Sequence, residues 1–285
     1  MSPTRQYDDS PGLGGLYART VKATLKRGES QATDEELVLE LPRMVVDPSH
    51  LAAYREVTGF AASGSLPVTY PHVLAFPLHL ELMSDPAFPH KPMGVVHLSN
   101  TITQHKPLPL GAVMAIEVTA EPERPHPKGR VFDVLSKVRV ADELVWTDRT
   151  SLLSRGSGSE DAPSNVLPDP EVEADTEWDL KGNLGRRYAS ASGDRNPIHL
   201  FKLTAQAFGF PRQIAHGMWA KAASVAALDR AGVLPDAFTV RADFRKPLLL
   251  PGKARFGHRT EADRTDFAIY GTDKVHLIGR LTAGG

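Results

Sequence analysis

The chain has 285 residues with 41% hydrophobic content, enough for a real core and suited to two domains of about 140 residues each. A formal net charge of −1 gives nothing global to attract nucleic acid or an anionic membrane, so neither partner is expected. With no cysteine in the sequence, disulfide frameworks, thiolate nucleophiles and Cys-type zinc sites are all excluded.

In chain order, residues 1–20 carry no apolar stretch like a signal peptide. No window approaches the ~20 apolar residues that cross a bilayer. Both points fit a cytoplasmic protein. Gly12, Gly14 and Gly15 lack a preceding strand, so they read as a surface turn rather than a dinucleotide loop. Strands are expected over 94–105, 111–121, 131–140 and 143–154. The stretch 154–170, SRGSGSEDAPSNVLPDP, is rich in Ser, Gly, Pro and acid, and reads as a linker. Its Gly156 and Gly158 sit at no strand-to-helix turn and form no phosphate loop. Residues 201–208 look helical. Residues 217–230, GMWAKAASVAALDR, form a stronger helix, apolar on nearly every side and therefore buried. Phe238, Val240, Ala242 and Phe244 then alternate with Thr239, Arg241, Asp243 and Arg245, the period of a half-buried strand in an antiparallel sheet. Further strands follow at 253–260 and 266–282. The division is an N-terminal half at 1–153, the linker at 154–170 and a C-terminal half at 171–285. Each half carries a buried helix and several antiparallel strands, an α+β layout.

The halves resemble one another. Lys106-Pro107-Leu108 and Lys246-Pro247-Leu248 stand 140 positions apart, as do Tyr70-Pro71 and Phe210-Pro211. Two weak matches at one offset point to an internal duplication. In that alignment Ser63-Gly64-Ser65 lies opposite Ser192-Gly193-Asp194, and Phe76-Pro77 opposite His216-Gly217. The second half then carries eleven extra residues between its Ser-Gly and aromatic-Pro pairs.

The densest cluster of chemistry-bearing residues is Tyr188-Ala-Ser-Ala-Ser192-Gly193-Asp194-Arg195-Asn196-Pro197-Ile198-His199, followed by Ala215-His216-Gly217-Met218. Gly193, Asn196 and Pro197 mark a tight turn. A carboxylate and an imidazole five residues apart across it can converge on one water, as general acid–base chemistry requires. Asp194 reads equally as an Asx-turn residue, and His199 as a cap on the next helix. Gly217 opens the buried helix, where the first N–H groups lack internal partners and lie at the positive end of the dipole. That is a place for a thioester oxygen that gains charge, worth about 3–4 kcal/mol in a preorganised site.

The string Ser192-Gly193-Asp194-Arg195-Asn196-Pro197-Ile198-His199, with Ile214-Ala215-His216-Gly217-Met218, resembles the signature of the MaoC-like (R)-specific enoyl-CoA hydratases, or hydratase 2 family. The resemblance implies a hot-dog fold, and with the duplication a double hot dog, either as two antiparallel sheets or as one continuous sheet. It implies that Asp194 and His199 activate water and that the Gly217 N–H holds the thioester oxygen. Asn196 would shape the turn, with His216 in a supporting place. The implied reaction is reversible hydration of trans-2-enoyl thioesters to (3R)-hydroxyacyl thioesters in fatty-acid metabolism. No metal or redox cofactor is expected; CoA or acyl-carrier phosphopantetheine is the substrate's handle. A homodimer fits such units. The first half offers Ser65 and Pro77 where acid and oxyanion donor would stand, so one site per chain is expected.

Arg245 and Lys246 are candidates for the handle's phosphate, with a solvated strand face as the plainer reading. His72 with His79, or Asp194 with His199 and His216, invite a zinc reading, but neither set has the short helical spacing of a His pair. Ser190, Ser192 and Ser224 lack a Gly-x-Ser-x-Gly elbow. The rival functions are a hot-dog acyl-thioesterase and a non-catalytic acyl-CoA-binding module.

Overall fold

The computed structural model describes residues 4–26, 37–92, 94–163, 165–272 and 274–284. In chain order its elements are β1 (Thr4–Gln6), α1 (Leu13–Lys26), β2 (Val38–Met44), α2 (Pro48–Thr58), α3 (Tyr70–Ser84), β3 (Val96–Gln104), β4 (Met114–Ala120), β5 (Arg124–His126), β6 (Gly129–Val140) and β7 (Glu143–Arg155). They continue with β8 (Thr176–Leu180), α4 (Leu184–Ser192), α5 (Pro197–Leu200), α6 (Lys202–Ala207), α7 (Gly217–Arg230), β9 (Phe238–Phe244), β10 (Gly252–Glu261), β11 (Arg264–Tyr270) and β12 (Val275–Ala283). The expected α+β layout holds. The helix expected over 217–230 and the strand that starts at Phe238 are α7 and β9.

The chain folds as two compact units that interleave in sequence: 1–45, 71–100 and 111–165 in one, 46–70, 101–110 and 166–285 in the other. In the first, β1 pairs parallel with β2, and β2, β4, β6 and β7 follow as antiparallel neighbours. Helix α3 is buried along nearly its whole length despite Pro77 inside it. Polar side chains tie it to the strands. His72 Nδ1 meets Asp148 Oδ2 at 2.6 Å, and His79 Nε2 meets Ser136 Oγ at 2.7 Å. These two histidines are therefore held by different partners.

In the second unit β9, β12, β11, β10 and β8 are consecutive antiparallel neighbours. Helix α7 is its buried axis. Ala220, Ala222, Ala223 and Ala226 let it pack closely, and the fully buried Lys221 sends its Nζ to the Val240 carbonyl at 2.9 Å. Although it comes from the first half of the sequence, α2 belongs to this unit. Trp219 of α7 donates its indole N–H to the Val57 carbonyl at 2.9 Å, and α2 also packs on α4. The linker is less loose than its composition suggests. Leu167 is buried, and its N–H bonds Asp243 Oδ2 at 2.6 Å; residue 164 lies outside the described residues.

The backbone supports the duplication and corrects its register. Leu66 N–H bonds the Leu108 carbonyl just as Ala215 N–H bonds that of Leu248, both at 2.8 Å. Leu110 N–H to Gly64 and Leu250 N–H to Gln213 repeat the pattern at 3.1 and 2.9 Å. The Lys-Pro-Leu match therefore stands. The Ser-Gly match does not. Gly193 caps α4 at φ 76°, and the first-half glycine in that role is Gly59, which caps α2 at φ 86°. Both need the left-handed conformation that glycine adopts freely. Phe60, not Ser65, thus stands opposite Asp194. Gly59 to Leu66 spans seven positions and Gly193 to Ala215 spans twenty-two, so the second half carries fifteen extra residues rather than eleven. On the same register Val68, two residues after Leu66, stands opposite Gly217, so neither Pro77 nor the Tyr70-Pro71 to Phe210-Pro211 match holds.

Candidate active site

The site lies within the second unit, in the loop that follows the Gly193 cap. Asp194 uses its carboxylate twice. Its Oδ1 accepts the Asn196 N–H at 3.0 Å, the Asx-turn contact, while Oδ2 lies 3.8 Å from His216 Nε2. Asn196 accepts the Ile198 N–H at 3.4 Å and, with Pro197 at N1, starts the short helix α5 that carries His199. The carboxylate keeps 31% of its exposure and reaches solvent.

His199 is buried, and its ring does not cap a helix. Its Nδ1–H donates to the Ile214 carbonyl at 2.8 Å. That bond selects the tautomer and leaves Nε2 as a bare acceptor. Burial pushes its pKa below the usual histidine value, against the opposing pull of Asp194 and the Ile214 bond. The ring is thus neutral near pH 7 and able to take a proton. His216 stacks on it, with ring centroids 3.7 Å apart and planes at 25°. Its Nε2–H donates to the Asp194 backbone carbonyl at 3.0 Å. Burial and the neighbouring His199 push the His216 pKa down to about 3. Asp194, His199 and His216 bring one ligand atom each within 4.8 Å of one another.

Gly217 is the first residue of α7, with His216 as its N-cap. Packing explains the absence of a side chain here: a Cβ would lie 3.0 Å from the Phe244 ring of β9. Its N–H is among the first of the helix and has no acceptor within it.

Arg245 is engaged elsewhere. Its guanidinium donates to the Leu167 carbonyl and lies 3.8 Å from Asp169. Lys246 is exposed, and its main chain is tied to His276. Three further residues contribute in ways that their place in the sequence does not show. The Ile214 carbonyl orients His199. Gly185 of α4 lies so close to α5 that a Cβ would stand 2.0 Å from the His199 carbonyl oxygen. Tyr188 of α4 packs its ring 4.9 Å from that of His216.

Residues 166–266 match the MaoC like domain. Over 221 residues the chain is 36% identical to 3-hydroxyacyl-thioester dehydratase X of Mycobacterium tuberculosis, covering 76% of this chain and 77% of that protein. The chain belongs to the MaoC-like dehydratase family. Its fold matches the crystal structure of HtdX from M. tuberculosis with a TM-score of 0.76 at 30% identity, over 86% of this chain and 99% of that one. A MaoC-like dehydratase from Phytophthora capsici shares the fold at 18% identity, with a TM-score of 0.68 over 87% of this chain and 95% of that one.

Proposed function

We propose that the chain adds water to trans-2-enoyl thioesters to give (3R)-hydroxyacyl thioesters, and runs the reverse dehydration, with Asp194 and His199 as the reacting pair. The chain is a hydro-lyase of the MaoC-like dehydratase family acting in fatty-acid metabolism. The observation that carries the assignment of the pair is the bare Nε2 of a neutral His199 beside the Asp194 carboxylate. In hydration the two groups hold one water. Its oxygen bonds to C3 as the Asp194–His199 pair takes up one of its protons, the C2–C3 π pair moves onto C2, and the pair gives a proton to C2. The thioester oxygen gains charge on the way, and the Gly217 N–H is the donor we assign to it. Dehydration runs the same steps backwards.

We assign no metal to the Asp194–His199–His216 trio. Imidazole rings stacked at 25° send their lone pairs side by side rather than to a common centre, and one nitrogen of each ring already donates to a carbonyl. The substrate's handle is CoA or carrier phosphopantetheine. Of the two cations considered for its phosphate, Lys246 is the freer. The short first-half connection supports room for an acyl tail, so turnover should rise with chain length. No helix among the described residues is long and apolar enough to cross a membrane; our reading is a cytoplasmic homodimer.

Crotonyl-CoA and longer trans-2-enoyl-CoA substrates test the reaction. The enoyl absorbance should fall with no free thiol released. Thiol release with no 3-hydroxyacyl product would favour a thioesterase, and binding with neither product would favour a non-catalytic module.

A further inference from the structure

We infer that His216 is the positioning residue of this site: its ring and its single N–H hold Asp194 and His199 in register while it exchanges no proton with substrate. The inference rests on the roles given above to Asp194 and His199.

His216 touches both members of the pair. It holds the Asp194 main chain through the 3.0 Å bond from Nε2–H, and it lies flat against the His199 ring at 3.7 Å. Its own backbone is clamped. The His216 carbonyl accepts the Ala220 N–H at 3.1 Å as α7 begins, and the preceding Ala215 N–H is bonded to Leu248. Tyr188 packs against the ring, and Tyr54 of α2 lies behind Tyr188 at 6.3 Å. The ring is 2% exposed and has little room to move.

The same contacts argue against a proton-carrying role. The ring stays neutral across the working range, since burial and its histidine neighbour both oppose a positive charge. Its one N–H is committed to a carbonyl, and Nδ1 is buried with no hydrogen-bond partner among the described residues. What remains is geometry. A neutral imidazole supplies a flat aromatic face and an N–H donor from one side chain. Phenylalanine supplies only the face, and glutamine only the donor. The face also keeps water off one side of His199, whose charged neighbour is Asp194.

The test uses His216→Phe, His216→Gln and His216→Ala in the full chain, with two readouts. One is kcat and KM for hydration of crotonyl-CoA. The other is the titration midpoint of the His199 ring by NMR, which needs no activity. His216→Phe should keep the His199 midpoint and lose about threefold to tenfold in kcat at constant KM, the effect of one hydrogen bond. His216→Gln should move the midpoint up toward the ordinary histidine value as water reaches the ring, and shift the acid limb of the rate profile with it. His216→Ala should show both changes. If Ala does not fold, the Phe and Gln variants decide. Variants that lower only the melting temperature, with midpoint and kcat unmoved, would overturn the inference. So would a His199 midpoint that stays put in Gln. If the wild-type chain hydrates no enoyl thioester, the functional reading fails, and the NMR titration still decides whether His216 governs His199.

Discussion

Gly185→Ala places one methyl group between two helices that carry the site. The added Cβ would stand 2.0 Å from the His199 carbonyl oxygen, whereas ordinary contact begins at 3.4 Å. Helices α4 and α5 must therefore part by about 1.4 Å, the difference between those two distances. His199 rides on α5, and its bond to Ile214 and its spacing from Asp194 move with it. A displacement of about 1 Å at a reacting group costs roughly 10²-fold in rate. Overpacking of this kind also costs about 1–3 kcal/mol of stability, which lowers the melting temperature by roughly 2–4 °C per kcal/mol. The assay is loss of enoyl absorbance, with a melting curve on the same sample. Gly64→Ala is the control, since a Cβ there meets nothing within 4 Å. Full turnover in Gly185→Ala, together with a native melting temperature, would refute the tight α4–α5 seam and the geometry built on it.

Acid should weaken the fold earlier than carboxylate titration alone would. His79 and His216 are buried and neutral, with pKa values pushed down to about 3, and His199 is lowered as well. The unfolded chain takes protons on these rings below about pH 6.5, whereas folded His79 and His216 do not until about pH 3, so their contribution is complete above pH 6.5 and lost as pH falls toward 3, and His199 acts in the same direction. His79 and His216 each lose about 1.4 kcal/mol per pH unit as pH falls through that window, and a melting temperature flat from pH 7 down to 4.5 would contradict the burial. Trp219→Phe leaves the Val57 carbonyl without its indole donor. A loss of about 1–3 kcal/mol is expected by denaturant unfolding, and no loss would mean that the bond to α2 does not matter.

Period and punctuation made much of this molecule legible in the sequence. The Ala-rich stretch from Gly217 specifies α7 to the residue and the alternation from Phe238 specifies the start of β9, because burial on all sides and burial on one face leave different patterns. The Gly193-to-His199 turn was readable from its Asx and proline chemistry, and the structure adds that Asp194 serves the turn and the site together. Register between the halves was not readable. A Ser-Gly pair looks the same in a loop and at a helix cap, and only the positive φ of Gly59 and Gly193 separates them. Nor do linear patterns show that α2 joins the catalytic unit, that Gly185 clears space for α5, or that a main-chain carbonyl sets the tautomer of His199. Those are contacts between distant segments, and composition records none of them.

We propose that Asp194 and His199 together act on water at C3. The most direct measurement of this claim is kcat for crotonyl-CoA hydration by Asp194→Asn and His199→Gln, each checked by melting curve. Each change should cut kcat by about 10²- to 10⁴-fold while the fold persists. Hydration within tenfold of wild type in either folded variant would contradict the claim.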